Sequence, residues 1–143
     1  MTKNYLVTQG VSPARYYQMR FLFWNVRGLA KKARRGQIKE MIKQENLDGL
    51  GLPETMKSDF DSKELSQMVS GGDFYWFWLP SRGLSGGILM GIKGDVLEIE
   101  DNWIGEFCIQ VTLRERRLNV RWSLITVYGP ASHDFSIDFI KEL

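Results

Sequence analysis

The predicted fold class is α/β (α+β), a layered protein in which early helices cover a sheet, and three observations predict it. Short, continuous apolar runs at 21–24 and 47–52 have the length and density of strands buried on both faces. Between and after them, apolar residues recur at helical spacing. From residue 74 onward, five segments rich in aromatic and branched residues follow in series, separated by Gly, Pro or charged turns, which predicts antiparallel pairing. Strand, helix, strand, helix and then consecutive strands is the order of a layered α/β protein.

Residues 1–19 mix Thr, Asn, Gln, Gly, Ser and Pro without a sustained period and predict a flexible leader, with order beginning at Arg20 and one domain over 20–143. The run Phe21-Leu22-Phe23-Trp24 stops at Asn25 and Gly28, where a loop follows. Over 34–46, Ile38, Met41 and Ile42 lie between charges, so one helical stripe faces a core and the rest faces water. The strand at 47–52 ends at Pro53, which has no N–H to donate to a ladder, and Glu54 sits just beyond its tip. Leu65, Met68 and Val69 mark a second helix over 61–70, capped by Asp61 or Ser62 and stopped by Gly71-Gly72. Later strands are expected at 74–79, 87–92, 95–100, 107–113 and 118–128. Arg114-Glu115-Arg116-Arg117 reads as an exposed hairpin tip, and a last helix begins at Asp134.

The 143 residues are 43% hydrophobic and 25% charged, which suits a single water-soluble globular domain. No apolar run approaches the roughly 20 residues needed to cross a bilayer, and the first twenty residues lack a signal-peptide core. An intracellular protein, nuclear or cytoplasmic and without a membrane partner, is therefore expected. The single cysteine, Cys108, excludes an intramolecular disulfide and a Cys/His zinc cluster, and its apolar neighbours predict a buried, inert thiol. The single histidine, His133, excludes mechanisms that need two imidazoles.

The net charge of +2 hides a polarised distribution. Residues 1–46 carry ten Lys/Arg against two Glu, whereas 47–143 carry nine against fifteen Asp/Glu. The densest basic stretch holds Arg27, Lys31, Lys32, Arg34, Arg35, Lys39 and Lys43, and would attract a polyanion such as nucleic acid through counterion release. A solvated helix face accounts for the same lysines equally well.

Polar groups at strand tips are where chemistry is sought, because rigid strands fix their positions. Asn25 follows the first strand, Glu54 the second, and Tyr128 ends the last before Gly129-Pro130. A carboxylate with neutral oxygen donors suits a hard cation such as Mg²⁺, whose usual service is phosphate chemistry. Each residue also has a plain structural reading: Asn25 closing a turn, Glu54 capping Thr55-Met56-Lys57, Tyr128 half-buried in a strand.

Four strings in order add a resemblance: Phe23-Trp24-Asn25-Val26-Arg27-Gly28-Leu29, Gly51-Leu52-Pro53-Glu54-Thr55, Ser81-Arg82-Gly83-Leu84-Ser85-Gly86-Gly87-Ile88-Leu89 and Val127-Tyr128-Gly129-Pro130. Together they resemble the endonuclease/exonuclease/phosphatase superfamily, with most likeness to the apurinic-type endonuclease domain of plant non-LTR, LINE-type retrotransposons. The resemblance implies a four-layered α/β sandwich and phosphodiester hydrolysis with Mg²⁺, or Mn²⁺ in its place. It implies Asn25 and Glu54 as metal ligands, Tyr128 as the phosphate-orienting hydroxyl, and Arg27, Lys31, Lys32, Arg34 and Arg35 beside a DNA backbone. It also implies a departure, because the family's Gly-Asp-Phe-Asn and Ser-Asp-His segments have no counterpart in this chain. Losing a general acid–base group costs about 10²- to 10⁴-fold, so a truncated domain without useful catalysis is expected. Pro53, where relatives carry glutamine, bears on the aim of Glu54. The inner face of the first sheet is expected to lack its partner, exposing Trp76, Trp78, Trp103 or Trp122. A non-catalytic nucleic-acid-binding module, or an enzyme completed by a second polypeptide, are the alternatives.

Overall fold

In β2 (Gln18–Trp24) the apolar side chains point alternately to two faces, and that alternation builds the layers. Leu22 and Trp24 join one core, whereas Met19 and Phe21 join another. The computed structural model describes residues 4–10, 18–69, 74–83, 85–129 and 142. Within them β2 is followed by α1 (Lys32–Glu45), β3 (Gly49–Pro53), α2 (Ser62–Ser66), β4 (Phe74–Leu79) and β5 (Ile88–Lys93). Then come β6 (Leu97–Ile104), β7 (Cys108–Glu115) and β8 (Val120–Val127). With β1 (Asn4–Gly10) at its edge, the first sheet has the order β1-β2-β3-β5-β4, and the second β6-β7-β8. Among the described strands only β2 and β3 pair in parallel, joined by the crossover helix α1 that a parallel pair requires.

One face of the first sheet packs against the helices. Leu22, Trp24, Leu50, Leu52 and Leu89 meet Ile38 of α1, with Met41, Ile42 and Leu65 at the margin. The helix α1 ends at Asn46, which takes a left-handed conformation (φ 49°) while Leu47 N–H donates to the Ile42 carbonyl at 3.1 Å. Asp61 caps α2 in a reciprocal pair with Glu64.

The opposite face carries Phe21, Ile88, Met90 and Ile92, which pack against Leu97, Ile109, Val111, Leu113 and Leu124 of the second sheet. The α/β class and the two-sheet arrangement thus agree with expectation. Three layers, namely helices and two sheets, are present among the described residues, and none of the described helices is long and apolar enough to cross a membrane.

Several expectations are corrected. Part of the expected leader at 1–19 is a strand, β1 (Asn4–Gly10), paired antiparallel with β2 from Asn4 opposite Trp24 to Gly10 opposite Gln18. Backbone pairing needs no hydrophobic period, which is why composition hid it. The later strands do not form one series, because β5 lies in the first sheet and β6 opens the second. The inner face is consequently covered: Trp76 and Trp78 pack toward the helices, and Trp122 meets Phe21 edge-on at 5.3 Å. Of the four tryptophans expected to be bared, Trp103 alone is half exposed. Helix α2 is shorter than the expected 61–70. The helix expected from Asp134 lies outside the described residues except for Glu142, whose carboxylate accepts from the Glu106 and Phe107 amides at 2.7 and 2.8 Å. Cys108 is buried as expected; burial, and then its hydrogen bond to Glu142, push its thiol up to about 11.

The hairpin tip is also displaced: the turn runs over 116–119, and Glu115 is fully buried beneath it. Its carboxylate accepts from Arg117 Nε at 2.8 Å and Leu118 N–H at 2.5 Å. Burial alone would raise this carboxyl, but the Arg117 guanidinium and the Leu118 and Arg117 amides outweigh it and hold the group below the usual carboxylate range. A depressed carboxyl stabilises the fold above its unfolded pKa, and that stabilisation is lost as pH falls through the folded value. The urea midpoint of Glu115→Gln is therefore expected to fall less steeply than that of the parent as pH drops from neutral into the acid range. Parallel curves would show that Glu115 is not protonated on unfolding.

Candidate functional site

The loops after β2 and β3 and the segment before β5 are stitched together by backbone hydrogen bonds that continue the ladders past the strand ends. Val26 N–H donates to the Pro53 carbonyl at 3.2 Å, Gly28 N–H to Glu54 at 2.8 Å and Leu29 N–H to Thr55 at 2.9 Å. On the other side, Thr55 N–H reaches the Gly87 carbonyl at 3.2 Å and Met56 N–H that of Gly86 at 2.8 Å. Pro53 keeps a carbonyl in this network although it cannot donate, so the chain stays in register up to Glu54. Tyr128 N–H binds the Phe107 carbonyl at 2.8 Å, and its ring lies over Gly86, where an added Cβ would stand 3.2 Å from Cε1. Gly86 has φ 78°, so both the space and the backbone there call for glycine.

The backbone at this tip is strained. Five described non-glycine residues have positive φ: Arg27 (49°), Asn46 (49°), Glu54 (60°), Met56 (56°) and Asn119 (55°). Asn46 ends a helix and Asn119 lies in a turn, and asparagine tolerates both places. Arg27, Glu54 and Met56 have no such excuse, each at a cost of about 1 kcal/mol, and all three lie on the joined loops after β2 and β3.

Asn25 is half buried, and its Oδ1 is buried without a hydrogen-bond partner. An orphaned carbonyl oxygen of this kind costs about 1–3 kcal/mol unless something else engages it. The Glu54 side chain is 25% exposed, and the Arg27 guanidinium approaches it at 3.9 Å. Burial, and then the Glu54 charge, raise the Tyr128 hydroxyl above its ordinary pKa, so it stays protonated and able to donate. Asn25 and Glu54 thus offer hard oxygen donors that fit Mg²⁺ or Mn²⁺, with water completing the shell. No group of three or more His, Cys, Asp or Glu side chains comes together among the described residues.

The basic stretch divides. Arg27, Lys31 and Lys32 are exposed, and Arg34 lies over the Trp24 ring at 5.0 Å. Arg35, expected beside a nucleic-acid backbone, is instead turned inward. Its Nη1 donates to the Leu29 and Ala30 carbonyls at 2.9 and 2.7 Å, and its Nε to Gln67 Oε1 at 2.7 Å. The loop before α1 leaves those carbonyls without helical partners, and the guanidinium fork satisfies them.

Sequence reasoning missed Met56 and Thr126. Met56 is an exposed side chain on the strained tip, and no sequence signal marks it. Thr126 is buried with an unpartnered Oγ1 and faces Gly51 from β8. A glycine inside a strand is the usual mark of such a close approach. His133 lies outside the described residues.

Neither a protein-family model nor a curated protein matches the chain. Solved structures do share its fold. An AP endonuclease from Leishmania major, LMAP, superimposes with a TM-score of 0.62 at 14% identity over 96% of this chain and 53% of that one. The human Nocturnin catalytic domain with bound sulfate gives 0.60 at 16% identity over 82% and 52%. The Neisseria 3′ phosphatase NExo, bound to a product DNA hairpin, gives 0.55 at 19% identity over 87% and 52%. The chain spans about half the length of each. All three have endonuclease/exonuclease/phosphatase-type folds, and the present chain shares that fold.

Proposed function

We propose that this endonuclease/exonuclease/phosphatase-type fold serves here as a divalent-cation- and phosphodiester-binding domain with little catalysis of its own. The observation that carries the reading is the buried, unpartnered Asn25 Oδ1 on the loop stitched to that of Glu54. Glu54 and Asn25 would hold Mg²⁺ or Mn²⁺. When bound, the cation supplies positive charge that offsets the non-bridging oxygens of a phosphodiester. Tyr128 keeps its proton and donates it in a hydrogen bond to a phosphate oxygen. Arg27, Lys31 and Lys32, all exposed, track the neighbouring phosphates of a DNA strand.

The strings around Asn25, Glu54, Gly87 and Tyr128 support descent from a plant LINE-type retrotransposon endonuclease, acting on DNA in the nucleus. The four strings include no aspartate to position or deprotonate the attacking water. Weak turnover by this chain alone is the expected consequence, and a second polypeptide bringing an aspartate to Glu54 would restore it.

Denaturation with and without Mn²⁺ tests the site. A cation at about 100 times its Kd stabilises the native state by about 2.7 kcal/mol. The parent is expected to gain stability of that order, and Glu54→Gln and Asn25→Ala to lose most of the gain. Nicking of abasic and supercoiled DNA in Mg²⁺ is expected to stay at background. Rapid nicking removed by Glu54→Ala would sink the inactive reading, whereas equal Mn²⁺ stabilisation of all three proteins would sink the site.

A further inference from the structure

Arg27 and Glu54 both sit in left-handed backbone, with φ 49° and 60°, and the Gly28 N–H bond to the Glu54 carbonyl at 2.8 Å holds their loops together. The result is an ion pair, Arg27 Nε to Glu54 Oε2 at 3.9 Å, between side chains 59% and 25% exposed. Among the described residues, Glu54 is the carboxylate recorded in an ion pair with Arg27. Such a pair at a strand tip needs no strained backbone to form, yet here three strained residues frame it.

We propose that Arg27 is a built-in counter-cation: its guanidinium occupies the field of Glu54 in the free chain, competes there with a divalent cation, and is drawn off when a phosphodiester arrives. The proposal rests on the reading of Glu54 as a metal ligand and adds a positioning residue that couples cation binding to phosphate binding. The physics is one of shared charge. A carboxylate attracts the guanidinium and the cation alike, and the two cations repel each other, so whatever removes the positive charge of Arg27 strengthens the hold on the metal. A phosphodiester offers the fork of an arginine two oxygens for parallel N–H bonds, whereas in the free chain Arg27 meets Glu54 through Nε alone at 3.9 Å. The bound strand therefore takes Arg27 away from Glu54 and leaves the carboxylate to the cation.

Mn²⁺ affinity of the whole chain, read from the free-Mn²⁺ signal in electron paramagnetic resonance, is the test. At low salt Arg27→Gln is expected to bind Mn²⁺ about three- to five-fold more tightly than the parent, the scale of one exposed ion pair. Arg27→Lys, which keeps the charge, is expected to stay close to the parent, and 1 M NaCl to shrink the difference because the screening length is then about 3 Å. Glu54→Gln is expected to lose Mn²⁺ binding. An Arg27→Gln affinity equal to the parent's, with Glu54→Gln still deficient, overturns the counter-cation and leaves the metal site standing. Unchanged Mn²⁺ binding in Glu54→Gln, or no binding by the parent, overturns both.

Discussion

Arg35→Ala is expected to lose about 3–5 kcal/mol of folding stability, a large share of the roughly 5–15 kcal/mol available to a domain of this size. The side chain is 9% exposed and holds four partners: the Leu29 and Ala30 carbonyls, Gln67 Oε1 and, at 3.6 Å, Glu64 Oε2. Removing it strands the buried Leu29 carbonyl and unties the loop after Gly28 from α2. Glu64 keeps Lys57 Nζ at 2.7 Å, so the damage falls on the carbonyls more than on the acid. Arg35→Lys is expected to recover little, because one ammonium cannot reproduce the planar fork. Urea denaturation measures the loss. A change under 1 kcal/mol, accompanied by weaker DNA binding, would return Arg35 to the exposed basic face that the sequence predicts.

The second large effect is expected at Gly51, where β3 of the first sheet faces Thr126 of β8 in the second. A Cβ there would fall inside contact distance of Thr126 Oγ1 and 2.9 Å from Phe23 Cδ1. Gly51 of β3 lies three residues before Glu54, and Thr126 of β8 two before Tyr128, so this contact bears on the separation of the two candidate tips. Gly51→Val is expected to cost about 3 kcal/mol, the upper end for overpacking, and to weaken Mn²⁺ binding as the tips are forced apart. Thr126→Ala removes the clashing oxygen, which has no hydrogen-bond partner. The pair Gly51→Ala and Thr126→Ala is therefore expected to be less damaging together than the sum of the single changes, by about 0.5–3 kcal/mol. Strict additivity in a double-mutant cycle would mean that the sheets adjust independently.

Much of this molecule is written locally. The apolar runs at Phe21 and Leu50, the stripe of Ile38, Met41 and Ile42, and Asp61 as a cap follow from periodicity and from side chains that bond their own backbone, and each appears in the structure near its expected place. Asn25, Glu54 and Tyr128 were legible as polar residues at strand tips for the same reason. Other features depend on contacts between distant segments. Whether β6 continues the first sheet or starts a second, and whether residues 4–10 pair with β2, are questions of long-range hydrogen bonding to which local composition is blind.

The same division runs through the site. An arginine two residues from a strand tip and another at the head of a helix read alike as positive charge. Only packing turned Arg35 inward, where orphaned carbonyls stabilise it, and left Arg27 outside against Glu54. Strand length and turn chemistry are local, so the residue types at the tips can be read from the amino-acid order alone. Which tips meet, which arginine stays outside and where the backbone is strained depend instead on contacts between segments distant in the chain, within the first sheet and across it to β8.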